Sequence, residues 1–95
     1  MTHNITTTRI HAIITGLVQG VGFRYYTTTQ ARQYGITGWT HNRHDGTVEI
    51  EAQGPTDQLE QFTKQLRKGP RWSNVEHITT TEIPALANER AFIVK

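Results

Sequence analysis

Thr47 to Gln53 alternates without a break, with Val48, Ile50 and Ala52 on one face and Thr47, Glu49, Glu51 and Gln53 on the other. A period of two predicts a strand in a sheet that is covered on one side only. Residues 9–15, Arg-Ile-His-Ala-Ile-Ile-Thr, read as an earlier strand ending at Gly16. From Phe23 to about Tyr34 the period changes to that of a helix. Phe23, Tyr26 or Thr27, Ala31 and Tyr34 share a face, and Gly35 is the stop. Ile36 to His41 predicts a second strand, and Asn42-Arg43-His44-Asp45-Gly46 the turn that follows it, with Asp-Gly as the strongest element.

Gly54-Pro55-Thr56-Asp57 predicts the start of a second helix. Proline suits a first turn, Thr56 or Asp57 can cap it, and Leu59, Phe62 and Leu66 recur at helical spacing. Glu60 and Lys64 stand four apart, the spacing of a helical ion pair. Gly69-Pro70 ends the helix, Val75 to Ile83 predicts a fourth strand, and Phe92-Ile93-Val94 a short fifth. The order β-α-β-β-α-β predicts an α+β, ferredoxin-like sandwich, an antiparallel sheet with two helices on one face. Residues 1–7 are expected to be a flexible N-terminal tail and 8–95 a single domain, since 95 residues supply one core.

The chemistry concentrates between the first strand and the first helix. Glycines at 16, 20 and 22 allow positive φ, so successive amides can face one concavity at a helix start. Arg24 in the first helical turn opposes the helix dipole by roughly 0.3–1 kcal/mol, a placement that makes sense if an anion lies between it and the amides. Taken alone, the segment also reads as a tight turn with a solvated arginine. No Lys-Ser or Lys-Thr follows it, so it is not a Walker A loop, and its glycine spacing does not complete a dinucleotide fingerprint. The expected anion is small.

Composition narrows the classes further. Apolar residues make up 35% of the chain, no long apolar segment is present, and the N-terminus lacks the pattern of a secretion signal. These features predict a cytoplasmic protein with no membrane association. The absence of cysteine removes disulfide, Cys-zinc and thiol-nucleophile chemistry. The net charge of +2 is mild, and its cluster at Lys64, Arg67, Lys68 and Arg71 reads as a solvated helix face. His41 and His44 have no zinc-like partners, Ser73 is the sole serine, and Trp39 and Trp72 read as core or rim residues. No metal is expected.

Gly16-Leu17-Val18-Gln19-Gly20-Val21-Gly22-Phe23-Arg24 resembles the first signature of the acylphosphatases, and Gly38-Trp39-Thr40-His41-Asn42-Arg43-His44-Asp45-Gly46-Thr47-Val48, closing at Gly54, resembles their second. The resemblance spans most of the chain. Thr40 and His41 depart from it, standing where family members usually carry a small apolar residue and Lys, Arg or Gln. It implies hydrolysis of small acyl phosphates by in-line water attack, without metal or cofactor. It further implies that Arg24 binds the phosphoryl oxygens with the loop amides of Gln19, Gly20, Val21, Gly22, Phe23 and Arg24, and that Asn42 holds the attacking water. Inorganic phosphate or sulfate is then expected as a competing anion, and a monomer as the working form. Read as a turn residue, Asn42 needs no such role.

Two alternatives belong to the binding class. One is a ferredoxin-like module that binds phosphate or carbamoyl phosphate without a primary hydrolytic role. The other is RNA recognition, against which Glu49 and Glu51 argue, because they occupy the exposed face where stacking aromatics would be needed and would repel the backbone. No nucleic-acid partner is expected.

Overall fold

In a computed structural model, which describes residues 6–95, seven elements follow in the order β1 (Thr7–Leu17), α1 (Phe23–Tyr34), β2 (Thr37–Asn42), β3 (Val48–Pro55), α2 (Thr56–Lys68), β4 (Asn74–Ile83) and β5 (Phe92–Val94). Of the tail expected over residues 1–7, residues 1–5 lie outside the described residues, while Thr7 is already strand, paired with Pro55. The strands form one sheet in the order β4-β1-β3-β2-β5. The first four pair antiparallel, but β5 runs parallel to β2, with Gly38 opposite Phe92 and Thr40 opposite Val94. The sheet is therefore mixed rather than purely antiparallel. The connection from β4 to β5 crosses from one edge to the other, so β5 arrives in the direction of β2.

Alternation places Ala12 and Ile14 of β1, and Val48, Ile50 and Ala52 of β3, under the helices, all fully buried. From α1, Phe23, Thr27 and Ala31 meet them; from α2, Leu59, Phe62 and Leu66. The buried helical position is thus Thr27, while Tyr26 lies at the margin and donates its hydroxyl to the Gln65 carbonyl of α2 at 2.9 Å. Gly35 closes α1 in the left-handed region, its amide turned to the last carbonyls of the helix. Pro55 is the N-cap of α2, with no side-chain cap; Asp57 instead accepts from the amide of Gln58 at 2.9 Å. The Glu60–Lys64 pair is not among the ion pairs formed by the described residues.

Strand β1 does not end at Gly16. It continues to Leu17 through a register shift between Thr15 and Gly16, and Gly16 takes φ of 122° with its backbone against Asn74 of β4, where a side chain would collide. Gly16 is a sheet-packing glycine and takes no part in the turn.

The face away from the helices is not bare along its whole length. The segment between β4 and β5 lies across one end of it. Gln53 donates to the Leu86 carbonyl at 2.9 Å and accepts from the Leu86 amide at 2.8 Å, and Arg9 donates to Glu89 at 2.8 Å. Beneath that segment Arg9 is only 1% exposed and also pairs with Glu51 at 2.8 Å. Burial works against the Arg9 charge, yet its hydrogen bonds to Glu89 and Glu51 outweigh the loss and raise its pKa. Burial likewise disfavours ionised Glu89, but hydrogen bonds from Arg9 and Thr37, with the Arg9 charge, together override it and hold the carboxyl below its usual range.

Candidate active site

The site begins with the turn 18–22. Val18 is buried, 1% exposed, and pins the turn to the core, while Gly20 and Gly22 take φ of 72° and 78°. Gly22 is the N-cap of α1 in the left-handed conformation, with no side-chain cap and no acidic residue in the first turn. Tyr26 is the first residue whose amide closes a helical bond, to the Gly22 carbonyl at 3.0 Å. The amides ahead of it are the orphan donors of a helix start, and the positive end of the dipole lies with them. Among the described residues no acidic side chain stands in that first turn or lines the cleft beside it.

Arg24 projects from this first turn. It is exposed and forms no ion pair among the described residues. Both it and Asn42 line one cleft of about 480 Å³, together with Gly20, Gly22 and Phe23. Asn42 is the last residue of β2 rather than the first of the turn, in register with Val48 of β3. Its Oδ1 is buried and has no hydrogen-bond partner among the described residues. A buried amide oxygen normally finds a donor, so an unmatched one in a cleft is a place for a ligand or water.

The turn after Asn42 is held from within. Asp45 accepts from the Thr47 amide at 3.0 Å and from its hydroxyl at 2.6 Å, and the Arg43 amide donates to the Thr47 carbonyl at 2.9 Å. These Thr47 bonds hold the Asp45 carboxyl below its usual pKa. Gln19 joins this turn to the glycine turn, since its Nε2 donates to the carbonyls of Arg43 at 2.7 Å and Thr47 at 2.9 Å.

The expected residues therefore divide. Gly20, Gly22, Phe23, Arg24 and Asn42 come together at the cleft. Gln19 and Val21 do not line it: the Gln19 side chain is committed to the neighbouring turn, and Val21 packs partly buried against the core. Pattern reading missed five cleft residues: Thr28, Arg32 and Tyr25 of α1, Val18 of the turn and Val94 of β5. Helical spacing could have found the first two, at i+4 and i+8 from Arg24; Val94 depends on the parallel pairing of β5. The other candidates stand apart. Trp72 is largely exposed, Ser73 donates to the Pro70 carbonyl at 2.7 Å, and Trp39 sits beneath the Lys95 ammonium. His41 and His44 lie on the far side of β2 and its turn, and no three His, Cys, Asp or Glu side chains gather as a metal site among the described residues.

Fold and site together define a class: a small α+β sandwich with an uncapped helix start, an arginine and a strand-end asparagine converging at one end of its sheet. The sequence pattern of the acylphosphatase family matches residues 10–94. The chain belongs to that family. An acylphosphatase of Bifidobacterium longum is 51% identical to it over 88 residues, which cover 92% of this chain and 91% of that one. The crystal structure of acylphosphatase from Bacillus subtilis superposes with a TM-score of 0.89 at 38% identity, covering 93% of this chain and 98% of that chain. Full-length HypF in its phosphate- and nucleotide-bound form also contains the fold, with a TM-score of 0.86 and 25% identity over 95% of this chain but 12% of that one.

Proposed function

We propose that the chain hydrolyses small acyl phosphates to a carboxylate and inorganic phosphate by in-line attack of water, with no metal. The observation that carries this reading is the pairing, in one cleft, of an uncapped helix start bearing Arg24 with the unmatched amide oxygen of Asn42. Family membership supports it. In this reading the amides of residues 19–24 and the Arg24 fork hold the phosphoryl oxygens, as charge-assisted donors do. Asn42 accepts a hydrogen bond from the water and aligns its oxygen behind phosphorus. As the new P–O bond forms, the bond to the acyl oxygen breaks and its electron pair leaves on the carboxylate. The water proton passes to a phosphoryl oxygen of the substrate. The leaving acid has a pKa of about 4, so it departs without a general acid, and positioning with charge stabilisation supplies the catalysis.

The alternative of a module that binds phosphate or carbamoyl phosphate without hydrolysis is not favoured, because the curated relatives at 40–51% identity carry the acylphosphatase name. No helix among the described residues is long and apolar enough to cross a membrane. A cytoplasmic location without a nucleic-acid partner fits the cysteine-free composition and the acidic Glu49 and Glu51 on the sheet face away from the helices, where they pair with His11 and Arg9. The deciding experiment is steady-state hydrolysis of benzoyl phosphate by the purified chain, with and without chelator and with inorganic phosphate as competitor. Turnover that resists chelation and is inhibited competitively by phosphate is expected. No turnover by the folded chain refutes the hydrolase, and chelator-sensitive turnover refutes the metal-free route.

A further inference from the structure

Helix α1 contributes more to the cleft than its first turn. Arg24, Thr28 and Arg32 all line it, at intervals of four residues and thus along one stripe of the helix. Eight residues of helix separate the two arginines by about 12 Å along the axis. Arg32 forms no ion pair among the described residues, and no Asp or Glu lines the cleft. A cation in the last turn suits the helix dipole, but that duty does not require the side chain to border the cleft. The volume of about 480 Å³ falls in the range of small-molecule sites and is far more than a phosphoryl group fills. Val94, across from α1, gives the intervening stretch an apolar wall.

We propose that Arg32 reads the far end of the substrate, so that the cleft prefers acyl phosphates whose acyl group carries a second carboxylate over neutral ones of the same size. This rests on the acyl-phosphate reading above, with the phosphoryl group at Arg24. A carboxylate some 8 Å from phosphorus comes within reach of a guanidinium mounted two turns further along the helix, because the arginine side chain spans the remainder. The cleft holds two arginines and no carboxylate, so a second anionic group meets attraction from Arg32 and no acidic side chain opposes it. Thr28 is not available to bond the acyl chain strongly, since its hydroxyl donates to the Arg24 carbonyl at 2.9 Å. Recognition at this end therefore falls to Arg32.

The test compares benzoyl phosphate with 4-carboxybenzoyl phosphate, which share ring and reacting bond; the para carboxylate is too far from its own acyl carbon to displace phosphate internally. In the parent, kcat/KM is expected to favour the carboxylated substrate by about fivefold, the scale of one partly exposed ion pair. Arg32→Gln abolishes the preference and Arg32→Lys retains part of it. Raised salt shrinks it in the parent. Hydrolysis of benzoyl phosphate with no preference, or a preference that survives in Arg32→Gln, overturns the role of Arg32 and leaves the hydrolase reading standing. No turnover of either substrate overturns both.

Discussion

Gln19 Nε2 donates to the Arg43 carbonyl at 2.7 Å and to the Thr47 carbonyl at 2.9 Å, so one side-chain amide ties the glycine turn to the β2–β3 turn. Those two turns carry the two halves of the site, the cradle before Arg24 and the strand end at Asn42. In the proposed mechanism, the spacing between phosphoryl group and water is thereby set by a side chain that does not line the cleft. Gln19→Ala is expected to lower kcat about tenfold, because small misplacements of positioned groups are costly. Gln19→Glu should do worse, turning a carboxylate towards two carbonyl oxygens. Unchanged kcat in folded Gln19→Ala would show that the turns hold their spacing without it.

Arg24→Lys keeps the charge and is expected to lose most activity, on the order of 10²-fold, because an ammonium cannot form a planar fork on two phosphoryl oxygens. The exposed position predicts normal folding by circular dichroism. Activity within about threefold of the parent would remove Arg24 from the proposed role.

Asn42→Ala is expected to lower kcat by roughly 10²–10³, the scale for losing one preorganised hydrogen-bonding group, with little change in inhibition by phosphate. Loss of phosphate affinity in step with kcat would make Asn42 a binding residue instead. The buried, unmatched Oδ1 also predicts that the substitution does not destabilise the empty protein strongly, since no bond made in the folded chain is lost at that atom.

At the opposite end of the sheet, Glu89 is held ionised by Arg9, with its carboxyl below the usual range. The resulting stabilisation is complete above the ordinary glutamate pKa of about 4.3 and disappears as pH falls through the lower folded value. Thermal melts should therefore show the parent losing stability below about pH 4.3 more steeply than Glu89→Gln. At neutral pH Glu89→Gln should cost about 1 kcal/mol, near 4–8 °C in Tm for a domain of this size, since Arg9 keeps Glu51. Parallel pH profiles for parent and variant would refute the linkage.

Periodicity alone determined the order of elements and most of their cores. Val48, Ile50 and Ala52 alternate because a strand shows one face to the helices, and Leu59, Phe62 and Leu66 recur because a helix shows one stripe. Gly22 and Arg24 were legible too, since their peculiarities are local, a positive φ and a cation against a dipole, whereas Asn42 read locally as a turn residue and only the resemblance to the acylphosphatases singled it out. What only the tertiary structure decided is whatever depends on elements distant in the chain. Gly16 was read as a strand end because its partner Val75, and the Asn74 backbone that excludes a side chain there, are far along the sequence. The parallel direction of β5, and with it Val94 in the cleft, follows from the path of the segment 84–91 across the sheet. That path also buries Arg9 against Glu89, which nothing local in the segment 9–15 predicts. Gln19 looked like one more amide of the turn until the fold set the Arg43 and Thr47 carbonyls beside its side chain, because a local pattern records which way a residue faces and not what the rest of the chain brings to meet it.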